Sequence, residues 1–167
     1  MRTGKPDHLR AFDYIGLHRY SLTFCTFGRQ RIFLGADHVA EVLTHFVQSA
    51  THERFALPAY CFMPAHVHLL IEAQADDSDC RAFIRRAKQF SGFYFKKRFG
   101  LSLWQRYGYE HVLRDDEATL AVARYIFNNP VRAGLANEPG EYPFLGSGVH
   151  SVSEILEAIQ FDRRRSG

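Results

Sequence analysis

The sequence predicts an α+β sandwich, with a central, mainly antiparallel sheet and helices on one face. Three observations carry that expectation. Segments of period-2 hydrophobicity and segments of helical period follow one another as strand, helix, strand, strand, helix, strand, helix. Two of the strands meet at Met63-Pro64-Ala65, a hairpin-length connection that makes neighbours antiparallel. The chain has 167 residues and 46% hydrophobic content, which suits one packed core. A single domain over 1–167 is therefore expected, with a loose or sheet-edge arm at 1–13 and a short basic tail at 161–167.

Each element has its own signal. Residues 17–27 read as a strand, with Tyr20, Leu22, Phe24 and Thr26 alternating against Ser21, Thr23 and Cys25. Residues 37–53 are helical, since Val39, Val42, Leu43, Phe46 and Val47 recur at the spacing of a buried stripe. Strands follow at 57–62 and 66–73. A long helix spans 78–99, its apolar side drawn from Phe83, Ala87, Phe90 and Tyr94. Residues 110–114 form a short strand and 115–128 a third helix. Its acidic first turn, Asp115-Asp116-Glu117, suits the positive end of a helix dipole, and Pro130 stops its continuation. Residues 151–160 close the chain as a short helix.

Net charge is only +3, so total charge announces no anionic partner; its distribution does. Between Arg81 and Gly100 stand seven basic residues and no acid: Arg81, Arg85, Arg86, Lys88, Lys96, Lys97 and Arg98. Such a run lacks acids on its own helix for the usual i, i+4 ion pairs, which points to a phosphate-bearing partner rather than to a merely solvated face. The three cysteines have neither metal-ribbon nor disulfide-framework spacing, which suggests reduced thiols and a cytoplasmic address. No apolar run approaches the roughly 18 residues that span a bilayer.

The chemistry concentrates in two motifs. In Pro64-Ala65-His66-Val67-His68-Leu69-Leu70 the imidazoles of His66 and His68 share one strand face, while Val67, Leu69 and Ile71 take the other. Two imidazoles on one face make two-thirds of a divalent-metal site. Nine histidines also give such spacings by chance, so the second motif decides. In Tyr125-Ile126-Phe127-Asn128-Asn129-Pro130-Val131-Arg132-Ala133-Gly134-Leu135, Tyr125 and Asn129 stand four apart, one turn along a single helix face. Tyr125 also fits a core stripe with Val122 and Ile126, and Asn129 fits a helix-ending role. Tyr94, Tyr107 and Tyr109 are rival nucleophiles, but none has a metal-capable side chain four residues on along a helix.

Together these motifs resemble the single-tyrosine HUH transposases, and more closely their REP-associated branch, across residues 14–147. Two departures stand out. Ala65 occupies a position where the family often has Asn, and Leu145-Gly146 follows Tyr142-Pro143-Phe144 where a pair of serines is common. The resemblance implies a ferredoxin-like or RRM-like sandwich with the His66-Val67-His68 strand at its centre. It implies Tyr125 as the nucleophile, with His66, His68 and Asn129 holding Mg²⁺ or Mn²⁺; water and phosphate oxygens in the remaining positions suit those ions. It further implies cleavage of single-stranded DNA carrying a palindromic hairpin, leaving a 5′-phosphotyrosine and a free 3′-hydroxyl. No nucleotide cofactor is needed, because the phosphotyrosine conserves the bond energy for rejoining.

Arg81, Arg85, Arg86, Lys88, Lys96 and Lys97 are the expected DNA contacts, with His111 and Arg114 on the short strand as further candidates. Cleavage should fade below about pH 6.5, where an ordinary histidine protonates. A monomer working in cis is favoured over a helix-swapped dimer, because 110–115 contains no Gly or Pro hinge. Two other readings are a domesticated hairpin-binding protein and an RRM-like RNA-binding domain. The second is disfavoured because histidines stand where stacking aromatics would be expected.

Overall fold

The computed structural model describes residues 12–107, 109–113 and 119–167. The expected N-terminal arm up to residue 11, Arg114, the side chain of His111 and the expected acidic helix start at 115–118 lie outside the described residues. The strands are β1 (Arg19–Cys25), β2 (Phe55–Met63), β3 (His66–Ala73), β4 (Tyr109–Leu113) and the two-residue β5 (Leu145–Gly146). The helices are α1 (Ala36–Glu53), α2 (Cys80–Phe99), α3 (Thr119–Phe127), the single-turn α4 (Asn129–Arg132) and α5 (Val152–Ser166). The sheet runs β4-β1-β3-β2-β5 with every pairing antiparallel. Inserting β3 between β1 and β2 is the split βαβ arrangement of a ferredoxin-like sandwich. The histidine-bearing strand is central, as the resemblance implied.

The expected helical layer is α1 and α2, side by side on one sheet face. Tyr20, Leu22 and Phe24 from β1 and Val67, Leu69 and Ile71 from β3 join Val42, Phe46, Phe83 and Phe95 in the main core. On the other face, α3 and α5 cover part of the sheet. There Ala59, Cys61, Leu70 and Leu113 meet Ala123, Ile126, Phe127, Ile155 and Ile159. Because side chains alternate along each strand, the second face carries Thr23, His66 and His68.

Helix boundaries follow local chemistry. The Asp79 side chain accepts from Ala82 N and starts α2 two residues later than expected, while Gly100 ends it in the left-handed region. Ser151 and Glu154 form a capping box, and α5 continues to Ser166, beyond the expected Gln160. The buried stripe of α2 also differs from expectation: Phe83 and Ala87 are buried with Ser91 and Phe95, whereas Phe90 and Tyr94 are substantially exposed. Ser91 tolerates burial because its hydroxyl donates to Ala87 O and accepts from Trp104 Nε1. A hydrophobicity pattern passes over such a serine. Val47 on α1 is likewise exposed, and Ser49 and Ala50 take the inner positions.

The segment after α4 returns to the sheet edge. Phe62 N donates to Phe144 O at 2.8 Å, and the Tyr142 hydroxyl donates to Phe62 O at 2.5 Å. Gly146 pairs with Tyr60, and a Cβ at that position would meet the Tyr60 hydroxyl at 2.5 Å and ring carbon Cζ at 2.7 Å. Any side chain at position 146 would therefore press on the Tyr60 ring. Gly146→Ser should therefore destabilise the fold by about 1–3 kcal/mol through overpacking, read as a lower urea midpoint. A midpoint equal to wild type would show that Tyr60 moves aside freely.

Candidate active site

The central strand presents His66 and His68 on the face covered by α3 and α5, with their Nε2 atoms 3.1 Å apart and their rings nearly perpendicular. Thr23, directly opposite His68 on β1, holds the His68 Nδ1 at 3.0 Å through its hydroxyl. With Nδ1–H donating to Thr23 Oγ1, the Nε2 lone pair of His68 points towards His66. A hydrogen bond to the far nitrogen is the usual way a ligating imidazole is oriented.

Burial governs the charge of both rings. Desolvation, followed by the nearby His66 and Arg132, lowers the His68 pKa to about 4, with the Asn129 side chain acting in the opposite direction. His66 is lowered too, first by desolvation and then by Arg29. Both rings therefore stay neutral at neutral pH and keep the lone pairs that a metal requires.

The helix break beside the histidines follows from one residue. Pro130 has no N–H, so Ile126 O loses its usual i+4 donor. The Asn129 side chain fills the gap, its Nδ2 donating to Tyr125 O at 3.2 Å and to Ile126 O at 3.3 Å. Its Oδ1 is thereby turned outwards, where it accepts from Arg132 Nη2 at 3.1 Å. The ring centroids of Tyr125 and His68 are 6.4 Å apart, and the Arg132 guanidinium sits 4.1 Å above the Tyr125 ring. Tyr125 is 53% exposed, while Ile126 and Phe127 are fully buried. The core-aromatic account of Tyr125 thus gives way: its neighbours fill the core and Tyr125 faces the site.

His66, His68, Tyr125 and Asn129 are therefore brought together, as the motif spacing suggested. Among the described residues no group of three His, Cys, Asp or Glu side chains is gathered, and the Asn129 amide lies within hydrogen-bond reach of His68. The donor spacing fits a metal. Ligands about 2.1 Å from an octahedral ion stand about 3.0 Å apart in cis positions, close to the separation of the two Nε2 atoms. Sequence reasoning missed Thr23, Arg29 and Arg132. Arg132 was accessible to it, being three residues after Asn129 and seven after Tyr125 on one helical face; Thr23 depends on strand register and Arg29 on loop geometry.

The basic residues of α2 lie across the sheet, on the helical layer remote from the histidines. Arg85, Lys96 and Lys97 are exposed without a protein partner among the described residues. Arg81 lies 4.5 Å from the Tyr14 ring centroid. Arg86 pairs with Glu53 and His52, and Arg98 with Glu41, so acids absent from α2 are supplied by α1. Lys88 turns inward and donates to Gln105 O at 2.9 Å; desolvation lowers its pKa. Tyr94 stacks on His45 on this same helical layer. A groove of about 270 Å³ beside Tyr125 is lined by Leu120, Arg124, Asn128, Arg132, Ile159 and Asp162. A larger cavity of about 610 Å³ opens at the far ends of β2 and β3, around Pro58 and Glu72, away from the histidines.

Residues 15–129 match the family described as "Transposase IS200 like", and the chain belongs to that family. It is similar to REP-associated tyrosine transposases. A Haemophilus influenzae protein assigned to that group is 27% identical over 150 residues, 83% of each chain. The Escherichia coli REP-associated tyrosine transposase is 26% identical over 106 residues, 62% of each chain. A solved REP-associated tyrosine transposase bound to a REP hairpin shares the fold, with TM-score 0.68 and 22% identity over 80% of this chain and 79% of that one.

The shifted His68 pKa makes a metal-free prediction. Its folded pKa of about 4 lies below the ordinary value of about 6.5. Between those values the unfolded chain binds a proton that the native site resists, so this contribution to stability is complete above pH 6.5 and is lost as pH falls towards 4. NMR titration of the His68 ring carbons should give a midpoint well below 6.5. An ordinary midpoint would show that the ring is solvated and that burial does not control it.

Proposed function

We propose that this chain is a metal-dependent single-stranded DNA endonuclease and strand transferase that cleaves hairpin-bearing repeat DNA through a phosphotyrosine at Tyr125. The observation that carries the proposal is the convergence of His66, His68, Asn129 and an exposed Tyr125 at one point of the sheet. The fold shared with a REP-associated transposase that binds a REP hairpin supports the same class of partner.

His66, His68 and Asn129 Oδ1 would hold Mg²⁺ or Mn²⁺, which would polarise the scissile phosphate. The chain's own groups perform the rest. The Tyr125 oxygen attacks phosphorus, forming a 5′-phosphotyrosine as the bond to the 3′-oxygen breaks and leaves a 3′-hydroxyl. Reversal by a 3′-hydroxyl from another strand end rejoins DNA without ATP. Thr23 keeps the His68 ring aligned throughout. Tyr125 belongs to the same chain as the histidines it faces, which supports a monomer acting in cis.

Tyr125→Phe should abolish the covalent protein–DNA adduct and the free 3′-hydroxyl on a hairpin oligonucleotide with Mn²⁺, while hairpin binding persists. His66→Ala should abolish cleavage as well. Because both imidazoles are desolvated, the acid limb of cleavage should fall below the pH 6.5 expected of ordinary histidines. Mass spectrometry that finds the adduct on Tyr94 or Tyr107 would refute the nucleophile assignment. No adduct with either metal would favour a hairpin-binding protein that does not cleave.

Phosphate contacts should come mainly from the free cations of α2. Neutralising Arg85, Lys96 and Lys97 together should flatten the dependence of log K on log salt by about two to three units. Lys88→Gln should change that slope much less, because its ammonium already serves two backbone carbonyls. An unchanged slope in the triple variant would show that this helix face is only solvated.

A further inference from the structure

We propose that Arg132 is a positioning residue that fixes the Tyr125 ring and the Asn129 amide in a single mutual orientation before DNA binds. The inference rests on the reading of Tyr125 as nucleophile, and adds a residue that the two sequence motifs did not assign.

Arg132 touches both groups at once. Its guanidinium carbon lies 4.1 Å from the centroid of the Tyr125 ring, the distance of a close cation–π contact. Its Nη2 donates to Asn129 Oδ1 at 3.1 Å. Arg132 also acts electrostatically on His68, so one cation is felt by three members of the cluster. A planar guanidinium can do this where an ammonium cannot. It lays one face on a ring while its edge donates in a fixed direction.

The need for such a clamp follows from exposure. Half of the Tyr125 surface is open to solvent, and the neighbouring groove leaves room on its α5 side. An exposed tyrosine on a helix ordinarily samples more than one staggered χ1 well. Covering one ring face with Arg132 favours the orientation that approaches His68. Asn129 has a parallel problem. Its Nδ2 is held by two carbonyls, and the Arg132 bond to Oδ1 fixes which end of the amide faces outwards. The local sequence makes the arrangement possible: Pro130 forces the break at Asn128, and the single turn of α4 then brings residue 132 back over residues 125 and 129.

The test uses full-length protein with 3-fluorotyrosine at position 125, alongside Arg132→Lys, Arg132→Gln and Arg132→Ala. Without metal or DNA, the wild-type ¹⁹F resonance should lie away from that of a solvent-averaged tyrosine. All three variants should shift it towards the averaged value, Lys included, because charge without a planar stack does not hold the ring. With hairpin oligonucleotide and Mn²⁺ at saturating DNA, single-turnover cleavage should fall on the order of 100-fold, as expected for a misplaced reacting group. The Kd for the hairpin should remain within about twofold, since Arg132 supplies at most one phosphate contact. Variants that keep the wild-type resonance or the wild-type saturated rate overturn the proposal. A loss confined to Kd overturns it too, in favour of a plain phosphate contact. Failure of the nucleophile reading is separable: Tyr125→Phe would then still cleave, whereas the metal-free ¹⁹F shift would still report whether Arg132 holds the ring.

Discussion

The site depends on the two-sided alternation of β3. That strand has a partner along each edge, so its register is pinned by β1 on one side and β2 on the other. Val67, Leu69 and Ile71 are wholly buried against α1 and α2. A slip of one residue would drive His66 and His68 into that apolar layer and expose the valine, leucine and isoleucine. The hydrophobic packing of one face therefore sets the position of the imidazoles on the other. It also places Thr23 directly opposite His68, where its hydroxyl meets Nδ1.

A second constraint comes from Pro130. The missing N–H would strand a carbonyl at the end of α3, and Asn129 answers with its own side chain. Structural and chemical roles are joined in one residue: the amide nitrogen repairs the helix while the amide oxygen is presented to the cluster. Substitution of Asn129 would thus disturb the helix exit together with the site, and only a residue carrying both donor and acceptor could serve both roles.

Charge is arranged on a larger scale. The free cations of α2 and the histidine–tyrosine cluster lie on opposite faces of one sheet. The pairing of Arg86 and Arg98 with acids on α1, and the inward turn of Lys88, reduce the run of seven basic residues to a smaller set of unpaired cations among the described residues. Tertiary contacts, rather than composition, decide which cations those are.

Much was legible in the sequence because the relevant patterns are local. Period-2 and helical hydrophobicity gave the order of elements, and the spacings of His66 with His68 and of Tyr125 with Asn129 follow from strand and helix geometry alone. Tyr125 could not be separated from a core aromatic at that level, since residues 122, 125 and 126 fit a buried stripe equally well. Packing resolved it, because Ile126 and Phe127 occupy the interior and leave Tyr125 at the rim. Phe90 and Tyr94 were misread for the same reason: helical periodicity reports which residues share a face, but not which face the sheet covers. Ser91 took a core position because Ala87 O, one turn back, and Trp104 Nε1, beyond the end of α2, both bond its hydroxyl. Thr23 and Arg29 joined the cluster through strand register and a turn. Those are relations between segments, which no single stretch of sequence contains.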